Sequence, residues 1–182
     1  VQPRVTAILV ARNGSRFLAQ TLAALAAQTR LPDALVAVDA GSRDDSAALL
    51  TAAAPTQLVT ASAKMSFGSA VGHATKVALP PTTQDDWLWL LGADNAPASD
   101  TLARLLGAVE IAPSVAVAGP KLMRSDEPDI IARYGESMTR LGASVILVEN
   151  ELDQAQYDGQ SDLLAVSAAG MLVRRSVWDT LG

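Results

Sequence analysis

Asp85-Asp86-Trp87-Leu88-Trp89-Leu90-Leu91-Gly92-Ala93-Asp94-Asn95-Ala96-Pro97 is the stretch on which the fold turns. Trp87 to Leu91 is an apolar run too short for an ordinary helix and bounded by polar residues, which predicts a strand buried on both faces. Asp94 follows just beyond its carboxyl end. In an open α/β sheet that edge is where ligands bind, because the strand ends and the connecting loops leave a crevice there.

Working outward, the flanking sequence alternates strand and helix signals. Val5 to Ala11 is a short apolar, partly β-branched run closed by Arg12-Asn13-Gly14-Ser15, a strand followed by a turn. Ser15 is placed to cap a helix whose Leu18, Leu22 and Leu25 share one face. After Pro32, Ala34 to Val38 predicts a second strand ending on Asp39, and Ser42 is placed to cap a helix with Asp44 and Asp45 in its first turn. A weaker strand at 57–60 precedes helical spacing from Phe67 to Leu79 through Ala70, Val71, Ala74 and Val77, which Pro80-Pro81 stops. Beyond the central strand, Pro97 and Ser99 open a helix with Leu102, Leu105, Leu106 and Val109 on one face, and 115–120 predicts a fifth strand.

This rhythm predicts a three-layer α/β/α domain with a mostly parallel sheet and right-handed crossovers. From Lys121 onward polar turns separate short runs at Ile130-Ile131, 144–148 and 163–166, which predicts a β-rich segment after residue 120. Ser176 is placed to cap a last helical turn from Val177 to Leu181 that stops on Gly182.

Composition limits the function classes. The 182 residues are 49% hydrophobic but only 4% aromatic, so the core must be built from Ala, Leu and Val at close approach. A net charge of −5 lacks the basic face that a nucleic-acid backbone requires. With no cysteine there is no disulfide framework and no thiolate chemistry, which fits a reducing compartment. No charged leader precedes an apolar core, and no run approaches the roughly eighteen apolar residues of a membrane span. The expectation is a cytoplasmic chain without a span of its own, at the inner face of the membrane if the full-length protein is membrane-associated.

With these pieces in order, the chain resembles the family 2 glycosyltransferases, inverting enzymes of the A-type fold that use nucleotide-diphosphate sugars. The resemblance rests on Val5 to Gly14, Thr21-Leu22, Gln28-Thr29, Val38 to Ser46, Phe67-Gly68, Asp94 with Asn95, and Ala169 to Arg175. It implies one catalytic-type domain over residues 1–182, cut short at its C-terminal end. It also implies a nucleotide-diphosphate sugar donor, a divalent metal (Mn or Mg) and a glycan acceptor of undefined identity.

The resemblance assigns donor contacts to Ala11, Arg12, Asp39 and Gly68. Asp39 would accept a hydrogen bond from the pyrimidine ring, a planar donor edge that suits a carboxylate; a turn-forming aspartate is the plain alternative. Arg12 reads equally as a surface arginine, and Gly41 as a turn glycine. Asp94 is assigned to the metal, since a departing diphosphate carries negative charge that a hard cation neutralises. The family supplies two or three aspartates here; Gly92-Ala93-Asp94-Asn95 has an alanine where one is expected. Magnesium nevertheless accepts one or two carboxylates with phosphate and water completing the shell.

Other polar residues read as structural. His73 among small helical residues is a structural histidine, Trp87 and Trp89 are core, and Lys121 and Arg124 are solvated charges before they are phosphate ligands. Inverting transfer needs a general base for the acceptor hydroxyl. In the family that acid lies downstream of the segment around Gly170; Asp179 comes too early, so no catalytic residue is assigned and this chain is expected to bind donor without turning it over. Two other readings remain: a degenerate module of the same fold that binds a nucleotide sugar or a partner without chemistry, and a nucleotidyltransferase, for which the loop 12–16 lacks the glycine-rich basic length.

Overall fold

The computed structural model describes residues 3–79, 86–111, 114–159 and 162–181. In chain order the elements are β1 (Arg4–Ala11), α1 (Ser15–Ala26), β2 (Ala34–Asp39), α2 (Ser46–Ala52), β3 (Gln57–Thr60), α3 (Phe67–Ala78), β4 (Asp86–Gly92) and α4 (Thr101–Ile111). They continue with β5 (Val117–Ala118), β6 (Leu122–Met123), β7 (Ile130–Met138), β8 (Ser144–Val148), β9 (Glu151–Leu152), β10 (Leu172–Arg174) and α5 (Arg175–Leu181). The expected helix stops at Pro80-Pro81 and Gly182 lie outside the described residues.

Among the described residues the main sheet runs β3-β2-β1-β4-β10-β5. β1 pairs in parallel with β2 and β4, and β2 with β3. β1 and β4 are apolar on both faces because helices cover both. Val5, Ala7, Leu9 and Ala11 pack with Trp87, Trp89 and Leu91 beneath α1, α2 and α4, whereas Ile8, Val10, Leu88 and Leu90 pack under α3. Each fully buried leucine stabilises the fold by about 1.5–3 kcal/mol. Ala70, Ala74 and Ala78 bring α3 close to the sheet, as the alanine-rich composition requires. Trp87 and Trp89 are core, with the Arg174 guanidinium 4.6 Å from the Trp87 ring centre and Trp89 Nε1 donating to the Gly170 carbonyl at 3.1 Å.

Several expectations change. Val77 is exposed, because it falls roughly 90° from the centre of the buried arc at about 100° per residue. The fifth strand shrinks to Val117–Ala118 and sits at the sheet edge. Between it and β4 runs β10, antiparallel to both, through Leu172 opposite Trp89 and Ala118. The run at 163–166 contributes only a bridge between Ala165 and Glu136. The segment after residue 120 is β-rich as expected: β7 pairs with β6, β8 and β9 in a second sheet over a small core of Ile131, Tyr134 and Val148.

The helix starts also differ. α1 begins at Ser15 itself, whose N–H donates to Asp44 Oδ2 of the next loop at 3.0 Å. α2 begins at Ser46, so Ser42, Asp44 and Asp45 all precede it. α4 begins at Thr101, and its Leu102 N–H donates to the Gln28 side chain at 3.1 Å. α5 starts one residue before Ser176, with Arg175. No helix among the described residues is long and apolar enough to cross a membrane.

Candidate functional site

The registers that pair Ala11 with Asp39 and Val10 with Gly92 bring the carboxyl ends of β1, β2 and β4 to one edge of the sheet. There they frame a cleft of about 370 Å³, with Arg12, Phe17, Ala40, Phe67 and Asp94 among its lining residues. Among the described residues, Asp94 is the one acid that lines it, and it also lines an adjacent cleft of about 280 Å³ bounded by Pro97, Lys121 and Gly170.

Two polar braces hold the loops of this edge. The first joins the turns after β1 and β2. Asn13 N–H donates to Ser42 Oγ at 3.1 Å, Gly14 N–H to Ser46 Oγ at 2.9 Å, and Arg43 N–H to Asn13 Oδ1 at 2.8 Å. Asp44 sits at the centre: the Ser46 hydroxyl and the Ser15 N–H hold its carboxyl far below the usual carboxylate range. Asn13 has a positive φ of 51°, a conformation asparagine tolerates better than most residues.

The second brace holds the loop that carries Asp94. Thr21 Oγ1 donates to the Ala93 carbonyl at 2.7 Å, and Gln28 Nε2 donates to the Ala98 carbonyl at 2.7 Å while its Oε1 takes the Leu102 N–H. Asn95 folds back so that its Oδ1 accepts the Gly92 N–H at 2.8 Å. Thr21 in α1 and Gln28 just past its end are buried polar residues that continue the spacing of Leu18 and Leu25. That placement was the available sequence signal for their role.

Of the anticipated site residues, Arg12 and Asp94 line the cleft together. Arg12 Nη1 donates to the Ala63 carbonyl at 2.7 Å, bridging the turn after β1 to the loop before α3. Asp39 is half-buried and stands beside the lining residue Ala40; Ser42 N–H donates to its Oδ1 at 3.1 Å, and no donor among the described residues reaches its second oxygen. Ala11 does not face the cleft with its side chain, which is wholly buried in the core, and its carbonyl is taken by the Ala40 N–H at 2.9 Å. Gly68 lies exposed in the first turn of α3, where its neighbours Ser66 and Phe67 line the cleft instead.

Lys121 is not a solvated charge: it lines the second cleft with its ammonium held by two carboxylates. Its Nζ is 2.6 Å from Asp153 and 2.7 Å from Asp158, and although burial pushes its pKa down, the two carboxylates outweigh that and raise it. Arg124 is a surface charge paired with Asp126 and Glu127. Asp179 is held by Arg175 at 2.9 Å, away from both clefts.

For a cation, the described residues offer no group of three or more His, Asp or Glu side chains. Asp94 is a single oxygen donor group, and a hard cation fits here only if ligand oxygens complete its shell.

Residues 3–182 match the profile of glycosyltransferase-like family 2. The chain belongs to that family. Within it, the chain is 28% identical over 184 residues to galactofuranosyltransferase GlfT1 of Mycolicibacterium smegmatis, a match covering 98% of this chain and 58% of the relative. Its fold is shared with S. aureus TarS residues 1–349, at TM-score 0.56 and 15% identity over 98% of this chain and 49% of that one. It is shared too with glucosyl-3-phosphoglycerate synthase from Mycobacterium tuberculosis, solved with Mn2+, uridine diphosphate and glucosyl-3-phosphoglycerate. There the TM-score is 0.53 at 17% identity, over 68% of this chain and 45% of that one. The chain thus spans roughly half the length of each of these proteins.

Proposed function

We propose that this chain is the donor-binding part of an inverting glycosyltransferase that takes a nucleotide-diphosphate sugar and transfers the sugar to a glycan or other cell-surface acceptor. The observation that carries the reading is the cleft at the carboxyl ends of parallel β1, β2 and β4, where Arg12 and Asp94 meet beside Asp39. Membership of a glycosyltransferase family supports it, as do the uridine diphosphate bound by the mycobacterial synthase and by TarS residues 1–349.

In this reading the free oxygen of Asp39 accepts from the base, Phe67 and Phe17 give the nucleoside apolar walls, and Arg12 lies toward the phosphates. Asp94 would hold Mn2+ or Mg2+ jointly with the diphosphate, the cation supplying charge neutralisation for the leaving group. Because Asp94 lines both clefts, it stands between donor and the side from which an acceptor would approach. The general base belongs to a segment outside residues 1–182. A cysteine-free chain using a nucleotide-activated donor suits the cytoplasm, at the inner membrane face.

The lone acid in the cleft favours one competing reading, a module of this fold that binds without chemistry. Thermal melts test the first reading. A nucleotide diphosphate with manganese at about a hundred times its dissociation constant adds roughly 2.7 kcal/mol. At about 2–4 °C per kcal/mol this raises the melt by roughly 5–10 °C. Asp39→Ala and Asp94→Ala each remove most of the shift. No shift with any nucleotide sinks the donor reading.

A further inference from the structure

We propose that the outer edge of the second sheet is a self-association surface, on which β8 of one copy pairs antiparallel with β8 of another. β8 reads Ser144-Val145-Ile146-Leu147-Val148, an apolar, β-branched strand that pairs with β7 on one side. Among the described residues no strand covers its other side.

The ladder fixes which backbone groups point outward. Glu136 N–H and C=O both bond Ala165, on the side of β7 away from β8. Ile146 is the register partner of Glu136, and at such a non-bonded antiparallel pair both residues turn their polar groups away from each other. Ile146, and by the two-residue period Ser144, therefore present N–H and C=O at the open edge. Val145 and Leu147 are 43% and 48% exposed on the outward face, and Leu141 at the hairpin tip is 98% exposed. An uncovered apolar edge of this kind is a template for pairing with another chain.

Charge selects the partner. The tip 139–143 carries one charge, Arg140, and the far end of the strand carries Glu149 and Glu151. Neither Arg140 nor Glu149 has an ion-pair partner among the described residues. A two-fold axis through Ile146 sets Ile146 against its own copy, Val145 against Leu147, and the Arg140 tip alongside Glu149 and Glu151 of the other molecule. Parallel pairing would set like charges together. The surface is thus self-complementary, as a closed dimer requires.

Sedimentation equilibrium of the 182-residue chain over a range of concentrations tests this. The expected result is a mass that rises to twice the monomer and stops. Ile146→Pro deletes an outward N–H while leaving the bonds to β7, and abolishes the dimer. Arg140→Glu weakens association roughly tenfold, because two symmetry-related opposite-charge pairs become like-charge ones, and Arg140→Glu with Glu149→Arg restores it. Should Ile146→Pro fail to fold, Ile146→Cys serves in this cysteine-free chain: oxidation gives a covalent dimer, whereas Lys64→Cys on the main domain does not. A monomer at every concentration, a dimer indifferent to a folded Ile146→Pro, or an open series of larger species overturns the proposal.

Discussion

Gly14 and Ala93 share a space that holds one methyl group: a Cβ built on Gly14 would lie 2.4 Å from the Ala93 Cβ. The turn after β1 and the turn after β4 are therefore packed backbone against methyl at the wall of the cleft. Gly14→Ala should cost about 1–3 kcal/mol by overpacking, lowering the melt by roughly 2–4 °C for each kcal/mol. Adding Ala93→Gly should return most of that loss. A double-mutant cycle with no coupling between the two sites would contradict the packing.

The same contact bears on the altered acidic motif. A carboxylate at position 93 would be pressed toward Gly14 and α1, so Ala93→Asp should lower stability without raising affinity for manganese. In the unaltered chain, manganese titrated calorimetrically should bind weakly alone and more tightly with uridine diphosphate, whose oxygens complete the shell around Asp94. Equal binding in both titrations would move any metal site away from Asp94.

Asp44 predicts how the brace between the turns after β1 and β2 answers to pH. Its carboxyl is held far below the ordinary 3.8 by the Ser46 hydroxyl and the Ser15 N–H. A depressed folded-state pKa means that the contribution is complete above the unfolded value and disappears as pH falls beneath it. Melts of the native chain and Asp44→Asn should differ at neutral pH and converge as pH drops below about 4. A gap that stays constant down the acid limb would show that the charge on Asp44 is not what the brace uses.

Gln28 is the second brace. Replacing it with leucine leaves the Ala98 carbonyl and the Leu102 N–H without their partner, at a cost of about 1–3 kcal/mol for each buried group. The urea midpoint should fall with an unchanged slope. Because the loop between β4 and α4 carries Asp94, nucleotide affinity should fall as well, more than in Thr51→Ala, which alters a surface hydroxyl bonded within α2.

How much of this was legible in the sequence follows from how local each signal was. β4 was plain because all its faces are apolar, and β1 and β2 because each run ends at a turn. The edge shared by Asp39 and Asp94 followed from strand direction. The helix starts were misread because their partners are non-local. Asp44 serves Ser15 from the next loop, and Gln28 serves Leu102 from the turn beyond α1. β10 left no periodic signal, since three residues are too few to show alternation. The fifth strand, expected over 115–120, is limited to Val117–Ala118, the two residues that meet β10. Ala11 was assigned to the cleft by its position at a strand end, but alternation along β1 turns its methyl into the core.

The antiparallel β10 sets an order of assembly. β1, β2 and β3 form their ladders between neighbours in sequence and β4 reaches back across them to β1, so that these ladders need no strand synthesised after β4. β5 is made next but among the described residues has its ladder with β10 alone, and β10 arrives after the whole of the second sheet. The return of β10 to β4, Leu172 opposite Trp89, is with the β1–β4 ladder one of the two longest closures in the sheet and carries a correspondingly high loop-closure cost. A nascent chain released before Leu172 would therefore hold a formed parallel half with the open edge of β4 facing water, which is where chaperone contact during synthesis should concentrate.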